Sequence, residues 1–335
     1  MSRGWMKALG EPGLAGKVEV VAFVDMDPSA AVRLRDEAGS PSAATGTDLA
    51  AMLDQTQPDL LFDVVVPGGR HDVVATGLRH GCHVLSEKPM AASLDEARDL
   101  VRLAADTGKI HAVVQNRRYI PGVRRIRRLI ESGALGELTA LHADFFIGAH
   151  FGGFRDAMQN VLLLDMAIHT FDAARFMAGK DARAVYCHET NPRGSWYAHG
   201  ADAHAIFEFA DDVIFTYRGS WAAEGANTSW ESTWRIIGTR GTLLWDGADR
   251  FEAHVVNGAE GFHRPLAELQ VPPPNDDAQT LGHASVIADF IDAIERGTAP
   301  ETVGSDNIKS LSMVFAAIES ARTRTRQPIA SEDYS

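Results

Sequence analysis

Cysteine is scarce in this chain: Cys82 and Cys187 are the only two among 335 residues, far apart and outside any CxxC pair. A disulfide framework and a structural zinc site are both disfavoured, and a reducing cytoplasm is the simple reading. No apolar run is long enough to span a bilayer. The basic N-terminus leads into no apolar core, so it does not read as a signal peptide. Positive charge is short: 32 Lys and Arg stand against 45 Asp and Glu, a formal net charge of −13. That balance argues against nucleic-acid backbones and anionic membrane surfaces as partners. The 13 histidines form no HExxH or comparable cluster, so no metal is expected.

What is present suits two globular domains with sizeable cores. The first third alternates short apolar runs with helical patterns: VEVVAFVD (19–26), DLLFDVVVP (59–67), HVLSEKP (83–89) and IHAVVQN (110–116) read as strands. Between them lie helices at 29–39, 47–55 with Thr47 as N-cap, 71–81 and 93–108. This alternation predicts an α/β domain with a doubly wound parallel sheet. After 117–120 the pattern changes to strands in direct succession, as an antiparallel sheet requires. One helix near 161–178 interrupts them, and two more at 283–297 and 306–324 close the chain. The expected domains are therefore 1–118, Rossmann-like, and 119–335, α+β with a large, mostly antiparallel sheet.

Several stretches carry candidate chemistry. In LSEKPM (85–90), Glu87 and Lys88 follow a strand's carboxyl end, where parallel sheets bind ligands. A lysine there can hydrogen-bond a substrate hydroxyl, and Pro89 can fix it through a cis bond. The competing reading is a surface Glu–Lys pair. In NVLLLDMAIHTFDAARFM (160–177), Asp165 and His169 are four apart and share a helix face; Asp172 follows three later. A carboxylate-held histidine can take an alcohol proton near neutral pH, or the histidine is only a satisfied group in a packed helix. Asp172 either orients His169 or pairs elsewhere. Asp25 ends a strand where an acid can hold a ribose diol, which favours NAD over NADP; otherwise it is a turn residue in DMDP. VPGGRH (66–71) is a cofactor-facing loop or a plain turn. RRIRRL (124–129) reads as a helix with solvated arginines rather than a nucleic-acid site. The tryptophans at 196, 221, 230, 234 and 245 read mostly as core, with one or two available to stack on a polyol.

Together, EKP at 87–89, the Asp165–His169 pair, GTRGTLLWDG (238–247) and the two-domain order resemble the Gfo/Idh/MocA oxidoreductase family, which includes glucose–fructose oxidoreductase and inositol dehydrogenase. The resemblance implies a nicotinamide-dependent dehydrogenase acting on a sugar, cyclitol or related hydroxyl compound. It implies Lys88, Asp165 and His169 as the catalytic set, with His169 the acid/base. It places Ser2, Arg3, Asp25, Met26, Pro67, His71, Glu87 and Asn116 along the cofactor. Tyr119 and Arg155 are candidates for substrate contact. A homodimer or homotetramer through the outer face of the second sheet is expected.

The chain departs from the family's pattern at its start. Members open with an apolar strand and a glycine-rich turn that holds the pyrophosphate. MSRGWMKAL reads instead as the end of such a turn entering the first helix, with Ser2 near the third glycine position. The expectation is that residue 1 lies inside the motif, that the absent strand would sit between those at 19–25 and 60–66, and that this form folds poorly or binds NAD weakly. Two other activities fit the same fold: an NAD-dependent glycoside hydrolase and a non-catalytic sugar or nucleotide binder. A structural protein on an abandoned enzyme fold is the blandest alternative.

Overall fold

The computed structural model describes residues 2–274 and 282–330. In chain order the elements are α1 (Ser2–Leu9), β1 (Ala22–Val24), α2 (Pro28–Glu37), β2 (Ala44–Gly46), α3 (Leu49–Thr56), β3 (Leu60–Asp63), α4 (Pro67–Arg79), β4 (His83–Ser86), α5 (Leu94–Thr107) and β5 (His111–Val113). Then come α6 (Pro121–Glu131), β6 (Leu138–Phe146), a π-helix (Leu162–Ala167), α7 (Ile168–Ala178), β7 (Ala182–Thr190), β8 (Asp202–Phe209) and β9 (Ile214–Ser220). The remainder is β10 (Thr233–Gly238), β11 (Gly241–Trp245), β12 (Phe251–Val256), β13 (Leu266–Glu268), α8 (His283–Arg296), α9 (Gly304–Thr323) and β14 (Gln327–Pro328). Among the described residues, no helix is long and apolar enough to cross a membrane.

The chain divides into two compact units. The first holds residues up to Asn116 and also the segment 278–308; the second holds 117–277 and continues from Lys309. The sequence reading set its boundary at 118/119; the units part between Asn116 and Arg117. Residues 282–308, which the sequence reading kept in the second domain, group with the first unit. Val113 donates its N–H to Thr302 O at 3.0 Å, and Ala112 bridges Val303. Helix periodicity reports an apolar face, not its partner.

Among the described residues, the strand ladders of the first unit are all parallel, as expected. The strands nevertheless form two sheets, β1–β2 and β3–β4–β5, with no ladder between β1 and β3 among the described residues. Helix starts follow capping chemistry. Asp48, not Thr47, caps α3 by accepting Ala51 N–H at 3.1 Å. Pro67 is already in the first turn of α4, so VPGGRH is largely helix rather than loop.

The second unit is built on one nine-stranded sheet in the order β13-β12-β11-β10-β6-β9-β8-β7-β14. Every pairing is antiparallel except β6 with β9. Strict alternation along β8 buries Ala203, Ala205, Phe207 and Phe209 on one face. Phe171 of α7 packs edge-on against Phe207 and Tyr217, with centroids 4.7 and 5.2 Å away. Trp221, Trp234 and Trp245 are core, whereas Trp230 is about half exposed. The arginines of α6 are not simply solvated. Arg124 lies 4.9 Å over the Tyr119 ring and Arg125 4.1 Å over Phe251.

Candidate active site

In the first unit, Asp25 and Met26 follow β1, Pro67 follows β3, and Glu87 and Lys88 follow β4. Asp25 follows β1, exposed; its carboxylate accepts the Asp27 N–H at 2.9 Å. Met26 beside it is 94% exposed. In the first turn of α4, a side chain added at Gly68 or Gly69 would meet nothing within 4 Å, so the backbone after Pro67 stands open. A dinucleotide needs an acid for its ribose diol, open backbone donors and a wall for the nicotinamide. Asp25 fits the first need; at the start of α4 the Gly69 N–H is already bonded to Val66 O at 3.1 Å. Glu87, only 4% exposed, supplies a fixed carboxylate in the region of the third.

Glu87 is held by groups the sequence reading missed. Trp5 of α1 donates its indole N–H to Oε1 at 2.7 Å, and His283 of α8 lies 3.4 Å from the same atom. Trp5 also packs on Phe62, 5.2 Å between centroids. Burial pushes the Glu87 carboxyl up, but the bonds from His283 and Trp5 and the charge of Lys88 outweigh it, so Glu87 titrates below its ordinary range. Lys88 is half-buried, and the Lys88–Pro89 bond is cis. Asn116 lies beside Gly282.

Two of the expected cofactor residues are engaged elsewhere. His71 does not face a loop: it sits on α4 with Nε2 2.9 Å from Asp99 of α5. Partial burial lowers its pKa, but Asp99 and Asp72 outweigh that and raise it. Arg3 forms an exposed two-bond pair with Glu37, at 2.6 and 2.9 Å; Ser2 precedes it in the first turn of α1.

A polar layer crosses the first unit's core. Asp63, 1% exposed, ends β3 inside what reads as an apolar strand, and Arg70 of α4, also 1% exposed, donates to it from Nε at 2.7 Å. Ser86 Oγ lies 3.0 Å from His111 Nε2. Burial, with a smaller contribution from the Arg70 charge, drives the His111 pKa down to about 3, so the ring is neutral. The signal was present in the sequence: an aspartate within an apolar run must find a buried partner.

In the second unit, Asp165 and His169 do not share a plain α-helical face. Residues 162–167 form a π-helix, which widens the turn before α7 begins at Ile168. Such turns frequently mark functional sites. Arg155, the substrate candidate, instead grips Asp165 with both ends of its fork, Nε to Oδ2 at 2.8 Å and Nη2 to Oδ1 at 3.4 Å. Its guanidinium also lies over Phe151 and Phe154, at 5.0 and 4.8 Å. Asp172 does not orient His169; fully buried, it takes Arg118 at 2.7 and 2.6 Å and the Ser310 hydroxyl at 2.6 Å. Tyr119 is fully buried beneath Arg124, a packing position rather than a substrate contact. Asn160, in a left-handed conformation (φ 49°), opens the π-helical turn by accepting Leu164 N–H at 3.0 Å. Its side-chain amide donates to Glu189 of β7.

Comparison with known proteins bears on the family and the fold. Residues 6–115 match a family model described as oxidoreductase family, NAD-binding Rossmann fold, and residues 123–244 match the GFO/IDH/MocA C-terminal domain. D-apiose dehydrogenase of Paraburkholderia graminis is 26% identical over 92% of this chain and 86% of its own length. Inositol 2-dehydrogenase of Rhizobium meliloti is 24% identical over 93% and 92%. A crystal structure of an oxidoreductase from Agrobacterium radiobacter, in complex with NAD+, L-tartaric acid and magnesium, superposes with a TM-score of 0.84, covering 98% of this chain and 95% of that one at 21% identity.

Proposed function

The chain belongs to the Gfo/Idh/MocA oxidoreductase family, and on that premise we propose that it moves a hydride between a carbinol carbon of a sugar, cyclitol or related polyol and NAD. The nicotinamide ring, when bound, supplies the hydride acceptor or donor. The remaining work falls to side chains. His169 takes the hydroxyl proton as the carbonyl forms and returns it in the reverse direction. Lys88 donates to the same oxygen and stabilises the negative charge developing there. Arg155 holds Asp165 in one rotamer through its two-bond fork, and Asp165 accepts from a neighbouring substrate hydroxyl.

Asp25 accepts from the adenosine ribose, and its charge opposes a 2′-phosphate. Met26, Pro67, Glu87 and Asn116, with Ser2 at the start of α1, are the proposed remaining cofactor contacts. The observation that carries the substrate half is the Arg155–Asp165 pair, set within a π-turn four residues before His169. The glycoside-hydrolase alternative draws no support from the comparisons: both curated relatives named above are dehydrogenases.

The test is NADH formation by this chain with NAD+ and a panel of inositols, aldoses and anhydrosugars. At least one substrate is expected to turn over, and Lys88→Ala and His169→Ala are each expected to lower kcat by about 10²–10⁴-fold. Wild-type rates in both variants would remove them from the mechanism.

A homodimer or homotetramer through the open face of the large sheet is part of the same proposal. One cross-strand row on that face runs Tyr186, Ile206, Thr216, His142, Arg235, Leu244, Glu252. Tyr186 and Ile206 are 45% and 51% exposed there, and a groove of about 820 Å³ follows the row's far end. Ile206→Glu is expected to lower the sedimentation mass. Both cysteines are free and buried, which accords with a cytoplasmic location.

A further inference from the structure

We propose that Arg70 is a positioning residue for Lys88, acting through the backbone on both sides of that lysine. The inference rests on the reading of Lys88 as the group that meets the substrate oxygen.

Arg70 makes three bonds with one planar group. Nε donates to Asp63 Oδ2 at 2.7 Å, Nη1 to the Pro89 carbonyl at 2.5 Å, and Nη2 to the Val65 carbonyl. Asp63 completes the clamp. Its carboxylate accepts Val65 N–H at 3.0 Å, and its own carbonyl accepts Glu87 N–H at 2.9 Å. Lys88 thus stands between two tethered neighbours: Glu87 is tied to Asp63 by its N–H, and Pro89 to Arg70 by its carbonyl.

The chemistry requires arginine. A guanidinium holds its donors in a rigid fork and so fixes the mutual positions of three acceptors, whereas an ammonium is a point charge that cannot span them. Asp63 balances the charge, so the clamp adds little net field at the lysine. Stability alone does not account for the pair, since buried ion pairs are often replaced by packed apolar residues without loss. The carbonyl bond to Pro89 is what such a replacement would forfeit.

That difference supplies the test. The double variant Asp63→Leu/Arg70→Met removes both charges and keeps side-chain volume. It is expected to retain the wild-type circular dichroism and Kd for NAD+, with a lower melting temperature because the Val65 and Pro89 carbonyls lose their donor, while kcat falls about 10²-fold, the scale of a small misplacement of a reacting group. The alkaline limb of the pH–rate profile should move as well. In ¹³Cε-lysine spectra, the Lys88 resonance, assigned through Lys88→Arg, should lose its single sharp position.

Should the double variant fail to fold, Arg70→Lys carries the decision. It keeps the charge but one contact, and kcat is expected to drop at least about tenfold with KM nearly unchanged. Wild-type kcat and an unchanged Lys88 resonance in whichever variant folds would overturn the proposal. Lys88→Ala separates the two layers. A full rate there overturns the reading of Lys88 and this inference with it. Loss there, with no loss in the Arg70 variants, overturns only the positioning role.

Discussion

The two units hold their chains together by different means. The first has strands of three or four residues in two separate parallel sheets. The second has strands of up to nine residues in one sheet. Long antiparallel ladders satisfy backbone groups by themselves. Short strands cannot, and in the first unit side chains take over: Arg70 bonds two carbonyls, His83 Nδ1 accepts Ile110 N–H at 3.0 Å, and Glu96 accepts Ala92 N–H at 2.9 Å. Its fold and its candidate chemistry therefore share residues. In the second unit the candidate chemistry occupies the π-turn and the loop before it, and the sheet meets that turn where the Asn160 amide donates to Glu189 of β7.

The sharpest way to break this contrast is Asp172→Ala in the second unit. It leaves Arg118 buried with its carboxylate partner gone, a loss of about 3–5 kcal/mol despite the long sheet. Urea denaturation with unchanged m measures it. A loss under about 1 kcal/mol would mean the sheet dominates entirely.

Next come two pH dependences of opposite sign. The His111 pKa is about 3 in the folded first unit against about 6.5 unfolded. Its contribution is complete above the unfolded value and is lost as pH falls toward 3. Between pH 6.5 and 5 that amounts to about 2 kcal/mol. Glu189, in the second unit, is pushed up to about 7 by burial, only partly offset by the Asn160 amide. A raised carboxyl pKa contributes stability at low pH, and that contribution is lost as pH rises from the unfolded value through about 7. Allowing for its partial exposure, about 1–2 kcal/mol is expected. Hydrogen exchange in β5 and β7 should therefore move in opposite directions between pH 5 and 6.5. His111→Gln and Glu189→Gln should each flatten one slope.

The smallest effect is expected from Asp144→Ala. Its pair with Arg218 lies on the open sheet face, with the arginine side chain 60% exposed, and removal should cost under about 1 kcal/mol. A larger loss of melting temperature that depends on protein concentration would locate the oligomer interface there.

Much of this was legible in the sequence. The alternation to residue 116, the strand succession after it and the EKP exit from β4 all appear as read. Local rules also found the closing helices, because apolar period and glycine stops are local properties. What escaped was partnership. Trp5 reads as an ordinary helix residue until it meets Glu87, 82 positions away. Asp63 hides inside DLLFDVVVP, and Arg70 inside a turn. The π-helix escaped too, because a register of five leaves no mark that a register of four does not also leave.

The sequence alone determined which elements form and which residue types stand at strand ends. Hydrophobic period, capping and turn chemistry act within a few residues, and the family's motif order is written in the chain. Tertiary structure alone decided what each charge faces: Arg155 on Asp165, Asp172 on Arg118 and Ser310, and Arg70 on three acceptors; it also decided that residues 282–308 group with the first unit. A charge can be buried only where its counter-charge and hydrogen-bond partners converge, and that convergence is a property of packing between distant segments.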